Sequence, residues 1–161
     1  MLHPRTDAGA HAVPVLANWQ QDASGDPVIL TAGATEDGVK IDGETINRRD
    51  ALSCVLSIVG KAVLQATETI SFAAEYQESD DGSTWDTAVA LQASTVAATG
   101  DTGGSTEGFA VELPLMLKPL KKYVRFNITP AMSASGTDTA VWAAACDLMG
   151  FDVLPAAQAT S

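Results

Sequence analysis

The stretch TISFAAEYQESDDGSTWDTAVAL, residues 69–91, decides how this chain is read. Ile70, Phe72, Ala74 and Tyr76 fall on one parity and Ser71, Glu75 and Gln77 on the other, the period-two alternation of a half-buried strand. The run reverses at Ser79-Asp80-Asp81-Gly82-Ser83, where Asp side chains cap nearby backbone groups and Gly accepts positive φ without a steric penalty. Trp85, Val89 and Leu91 then resume one parity on the way out, so the segment reads as a hairpin on which a sheet is built.

The same pattern recurs on both sides. Upstream, Val28 to Thr31, Val39 with Ile41, and Thr45 with Ile46 are short apolar runs separated by Gly33-Ala34 and Asp42-Gly43. Leu52, Cys54, Leu56 and Ile58 share a face opposite Ser53 and Ser57, and Gly60-Lys61 is read as closing that strand. Downstream, residues 93–107 are almost wholly Ala, Ser, Thr, Gly, Asp and Val, a composition that predicts a long exposed loop. Phe109, Val111 and Leu113 begin another strand. Pro114 and Pro119 bound a connection whose Leu115, Met116, Leu117 and Leu120 require cover. Val124, Phe126 and Ile128 alternate with Tyr123, Arg125 and Asn127. Ala140, Trp142, Ala144, Cys146 and Leu148 mark the last strand. Eight or nine short strands with no helical period predict an all-β fold: an antiparallel β-sandwich, jelly-roll-like, with an extended N-terminal arm. The domain division is an arm over residues 1–26, the sandwich over 27–155 and a flexible tail over 156–161.

Length and charge narrow the function. A chain of 161 residues is one domain with room for a sizeable core. Nine Lys and Arg against twenty Asp and Glu give a formal charge of −11, which disfavours nucleic acid and anionic membranes as partners. No stretch of about eighteen apolar residues is present, and His3, Pro4, Arg5 and Asp7 interrupt any hydrophobic leader, so synthesis in a cytoplasm is expected. Cys54 and Cys146 lie within apolar runs and read as buried small hydrophobes.

Enzymatic chemistry lacks its parts. His3 and His11 are the only histidines and both fall in the arm, leaving no imidazole base within the sandwich. Two widely spaced cysteines make no zinc motif, and Gly100 to Gly104 lacks the lysine and helix of a phosphate loop. Asp80, Asp81 and Asp86 offer oxygens but not the spacing of an EF-hand. No catalytic residue, cofactor or metal is therefore assigned. Two groups suggest protein contacts instead. Val13, Val15, Leu16 and Trp19 give the arm an apolar side suited to a neighbouring subunit. Lys118, Lys121, Lys122 and Arg125 place four of the nine cations within eight positions, a surface for an acidic partner.

Two resemblances follow from these motifs. Tyr76 to Trp85 together with Lys122-Tyr123-Val124-Arg125-Phe126 resembles discoidin-type sandwiches, which implies a carbohydrate or cell-surface binding module. A wider series is similar to small head proteins of tailed bacteriophages: Thr31-Ala32-Gly33-Ala34, Asp42 to Arg48, Gln77 to Trp85, Tyr123-Val124-Arg125, Thr129-Pro130-Ala131-Met132-Ser133 and Leu154-Pro155. That resemblance implies a cement or decoration protein on the outside of an assembled capsid. Its partners would be the major capsid protein lattice and further copies of itself, as a dimer or trimer, and its location the virion.

Overall fold

The computed structural model describes residues 12–151 apart from Ala23, Arg49 and Ser135. It contains nine strands and, among the described residues, no helix: β1 (Ala12–Trp19), β2 (Leu30–Thr31), β3 (Ile46–Asn47), β4 (Ser53–Leu64), β5 (Thr69–Ser79), β6 (Val89–Thr99), β7 (Ser105–Met116), β8 (Tyr123–Met132) and β9 (Thr139–Met149). One sheet has the order β1-β9-β4-β7 with β2 also against β9, and the other the order β3-β8-β5-β6. Every pairing is antiparallel. The chain changes sheet at each step from β3 to β5 and from β6 to β9, and β5–β6 is the one pair of consecutive strands that are hydrogen-bonded neighbours. Two antiparallel sheets wound in this way make a jelly-roll-like sandwich.

Alternation fixes which side of each strand faces in. Cys54, Leu56 and Ile58 of β4, Ile70, Phe72 and Ala74 of β5, Val124, Phe126 and Ile128 of β8, and the even positions of β9 are all buried between the sheets. Phe72 of the second sheet spans the gap. Its ring lies 5.3 Å from Phe109 and 5.6 Å from Trp142 of the first sheet, in tilted and edge-on contacts. Gly60 is not a terminus: β4 runs on to Leu64, and a Cβ at position 60 would collide with Val141 O and Phe109 Cζ. The glycine is therefore the gap into which the Phe109 ring packs.

The long loop expected at 93–107 is mostly strand. Residues 93–99 belong to β6 and 105–107 to β7, with a short turn between. Composition misleads there because β6 is an edge. Its Thr and Val suit a pleated backbone, its ladder to β5 satisfies one side, and it is required to bury little.

The expected arm also differs. Residues 1–11 lie outside the described residues, but from Ala12 the chain is strand β1, paired with β9 from Ala12↔Met149 to Trp19↔Ala143. The reason lies at Asn18, beside a register shift between Leu16 and Asn18. Its Nδ2 donates to Ile41 O at 2.9 Å and to Phe126 O at 3.0 Å, tying β1 of the first sheet to the second. Gln20 closes the same end, where its Oε1 accepts the indole N–H of Trp142. The boundary expected at residue 155 lies outside the described residues.

Candidate interaction surfaces

The turn after β5 is built around Asp81. Its Oδ1 accepts the backbone N–H groups of Ser83 and Thr84, each at 2.8 Å, and the Ser79 hydroxyl at 2.9 Å. These bonds, Thr84 first, hold its carboxyl far below the usual Asp value of 3.8. Gly82 follows at φ 77°, the left-handed conformation the turn requires. Asp80 and Asp86 do not converge on an open site, because Lys121 Nζ stands between them at 3.1 Å and 2.9 Å. Their hydrogen bonds, Asp86 first, keep the Lys121 ammonium above its ordinary value. The oxygens that suggested a cation are thus occupied by the chain's own N–H groups and ammonium.

The outward face of β8 and β5 continues this network. Arg125 donates through Nε and Nη2 to Gln77 Oε1, reaches Asp42 at 3.2 Å, and lies 4.7 Å from the centre of the Trp85 ring. Asn127 donates to both Gln77 and Glu75, and Lys40 pairs with Glu75 at 2.8 Å. That lysine bond is the leading reason the Glu75 carboxyl sits below its usual value. The four clustered cations therefore divide. Lys121 and Arg125 are engaged with carboxylates of their own chain, Lys122 lies 4.9 Å over the Tyr123 ring, and Lys118 is exposed.

Lys118 and Lys122 occupy one end of the sandwich. Lys118 N–H donates to Leu52 O and Leu52 N–H to Met149 O, while Met149 pairs with Ala12 at the start of β1. Of the four arm residues, Val13 and Val15 pack against the core, Leu16 is 54% exposed and Trp19 is half-buried.

The outward face of the first sheet is of another kind. Leu16, Val59, Val63, Met116 and Val141 are five of the nine large apolar side chains exposed among the described residues, and all stand on it. Around them are Ala143, Ala145, Ser57, Ala110 and Pro114. Its charged residues are Lys61, Glu112 and Asp147, and among the described residues none of the three has an ion-pair partner. Sequence reading missed this face because it sought one apolar parity per strand. The signal was present in β4, where Val55, Val59 and Val63 give the outward parity an apolar character too.

No cluster of three or more His, Cys, Asp or Glu suited to a metal occurs among the described residues. An open hollow of about 480 Å³ between residues 21–25 and 35–42 is lined by Asp22, Glu36, Lys40 and Asp42 and by no aromatic side chain. Cys54 and Cys146 are buried as free thiols on adjacent strands, offset by two residues in register. The Cys54 thiol's hydrogen bond, together with burial, pushes the Cys146 thiol up.

No protein-family model matches the chain, and no curated protein matches it. Solved structures with a similar backbone come from infectious bursal disease virus. The Gx strain structure has a TM-score of 0.45 and 16% identity over 89% of this chain and 33% of that one. The Gt strain structure has 0.46 and 16% over 96% and 38%. The VP2 subviral particle has 0.43 and 16% over 86% and 32%. This chain thus spans about a third of their length, and the likeness is one of fold alone.

Proposed function

We propose that this protein is a structural component of a virus particle, a jelly roll that binds the outside of an assembled bacteriophage capsid and decorates the major capsid protein lattice. The observation that carries the reading is the allocation of surface chemistry. Among the described residues Lys121 and Arg125 are paired with Asp80, Asp86 and Asp42 of their own chain, whereas a broad apolar face and a lysine-bearing end are left for contact. The series of motifs shared with phage head proteins supports it. The end carrying Lys118, Lys122 and the start of β1 faces the shell, and an expanded lattice, having a different joint geometry, is bound in preference to the compact precursor. A carbohydrate-binding module would place aromatics around its hollow, and the hollow at residues 21–42 has none.

Co-sedimentation with purified expanded and compact shells tests the proposal. Binding to the expanded shell is expected, and Lys118→Glu with Lys122→Glu weakens it most at low ionic strength. Absence of binding to either shell overturns decoration, and equal binding to both overturns selectivity for the expanded form.

A further inference from the structure

We propose that the outward face of the β1-β9-β4-β7 sheet is a two-fold interface with a second copy of this chain. The proposal goes beyond lattice binding and does not depend on it, since the purified chain is expected to pair in solution.

The size of the face is sufficient. Four strands at about 4.8 Å spacing and eleven residues at about 3.4 Å make a sheet face of about 700 Å². Covered by an identical face, that buries roughly 1,400 Å² in total, within the range of specific protein interfaces. Its texture is suitable as well: Val59, Val63 and Val141 rise among Ala and Ser, so two such faces pack as the two sheets of a sandwich do, with strands nearly aligned.

Charge selects the occupant. A chain of net charge −11 repels its own copies over most of its surface. On this face one cation, Lys61, stands with two carboxylates, Glu112 and Asp147, and their positions are self-complementary. Asp147 pairs with Val55 on β4, six residues before Lys61, and Lys61 pairs with Val141 on β9. The point midway along β4 lies between Ser57 and Val59, flanked on β9 by Ala145 and Ala143, with Glu112 beside Ser57 on edge strand β7. A two-fold axis running across the strands at that level lays Lys61 of each copy over the row of Val55 and Asp147 of the other. The lateral offset is one strand spacing, about 4.8 Å, which a lysine side chain spans. Lys61 and Asp147, two of the three charges without an ion-pair partner on this face, are thus brought together twice on either side of the centre, while Glu112 on edge strand β7 meets its own copy at the rim, where water screens the two carboxylates.

Sedimentation velocity of the full chain at micromolar concentrations reads the result. A species of twice the 16.6 kDa chain mass is expected. Val59→Glu should raise the dissociation constant at least about tenfold, since it places an unpaired carboxylate at the apolar centre. Lys61→Glu and Asp147→Lys should each weaken pairing about threefold or more, and the two together should restore it. Val96→Lys, on the uncharged edge strand β6, should leave pairing unchanged. Circular dichroism and thermal melts of each variant confirm folding, and the three charge variants keep the test open if Val59→Glu folds poorly. A chain that stays monomeric, a three-copy species, failure of the double charge exchange to restore pairing, or dissociation by Val96→Lys instead would each overturn the proposal. Because no shell is present in this assay, its failure leaves capsid binding to be judged by co-sedimentation alone.

Discussion

Asn18→Ala is the most informative single change in the fold, because an arm and a strand respond to it differently. Asn18 is 1% exposed, and its Nδ2 is shared between Phe126 O on β8 of the other sheet and Ile41 O of the segment bridged to Ile128 of that strand. Removing the amide leaves both carbonyls without that donor inside the sandwich. Ile41 O keeps the Ile128 N–H at 3.0 Å, so that loss costs about 0.5–1.5 kcal/mol and the loss at Phe126 O about 1–3 kcal/mol, and the substitution should destabilise by about 2–4 kcal/mol. For a chain of this size 1 kcal/mol moves the melting temperature by about 2–4 °C, which translates to a fall of roughly 5–15 °C in a calorimetric or circular-dichroism melt. Deletion of residues 2–20 removes the whole of β1 and should abolish the cooperative transition. A melting temperature within about 2 °C of wild type for Asn18→Ala would show that β1 is not locked to the second sheet, and would return residues 12–19 to the docking arm that composition suggests.

Two further outcomes follow from the core and the turn. Phe72→Ala, which empties the ring contacted by Phe109 and Trp142, should cost about 3–5 kcal/mol in chemical denaturation with the m-value unchanged; a loss below about 1 kcal/mol would mean the sheets close without the aromatic bridge. Asp81, whose carboxyl is held below its ordinary value, contributes stability that is present above the unfolded value of 3.8 and lost as pH falls towards the lower folded value. Wild type should therefore be more stable than Asp81→Asn above about pH 5, with the gap narrowing as pH falls below about 4. A gap constant from pH 6 to pH 2 would show that the Asp81 charge does not hold the turn.

Most of the sandwich is legible because its strands are buried on one side only. In β5, β8 and β9 the period of two maps directly onto inward and outward positions, so Phe72, Phe126 and Trp142 are recognisable as core from the alternation alone. Legibility fails where burial does not set the pattern. Edge strand β6 buries little, and its small residues look like those of a loop. The first strand owes its place to Asn18, a long-range bond that no local period reveals. Gly60 looks like a terminator because its role is to admit a ring from a residue 49 positions away in sequence. The contact surfaces suffer most: the cation cluster is visible as a run of letters, but its carboxylate partners at positions 42, 80 and 86 are assembled only by the fold.

That assembly is also the argument for which face meets a partner. On the second sheet a docking protein would have to displace existing contacts: Lys121 from Asp80 and Asp86, Arg125 from Gln77, Asp42 and the Trp85 ring, and Lys40 from Glu75. Each new ion pair there replaces an old one, so the net gain is small. On the first sheet nothing is displaced except water. Covering Leu16, Val59, Val63, Met116 and Val141 removes apolar surface at roughly 25 cal/mol per Å², and Lys61 and Asp147 gain partners they do not have within the chain. Covering the first sheet therefore leaves the ion pairs of the second intact, whereas covering the second would have to break them.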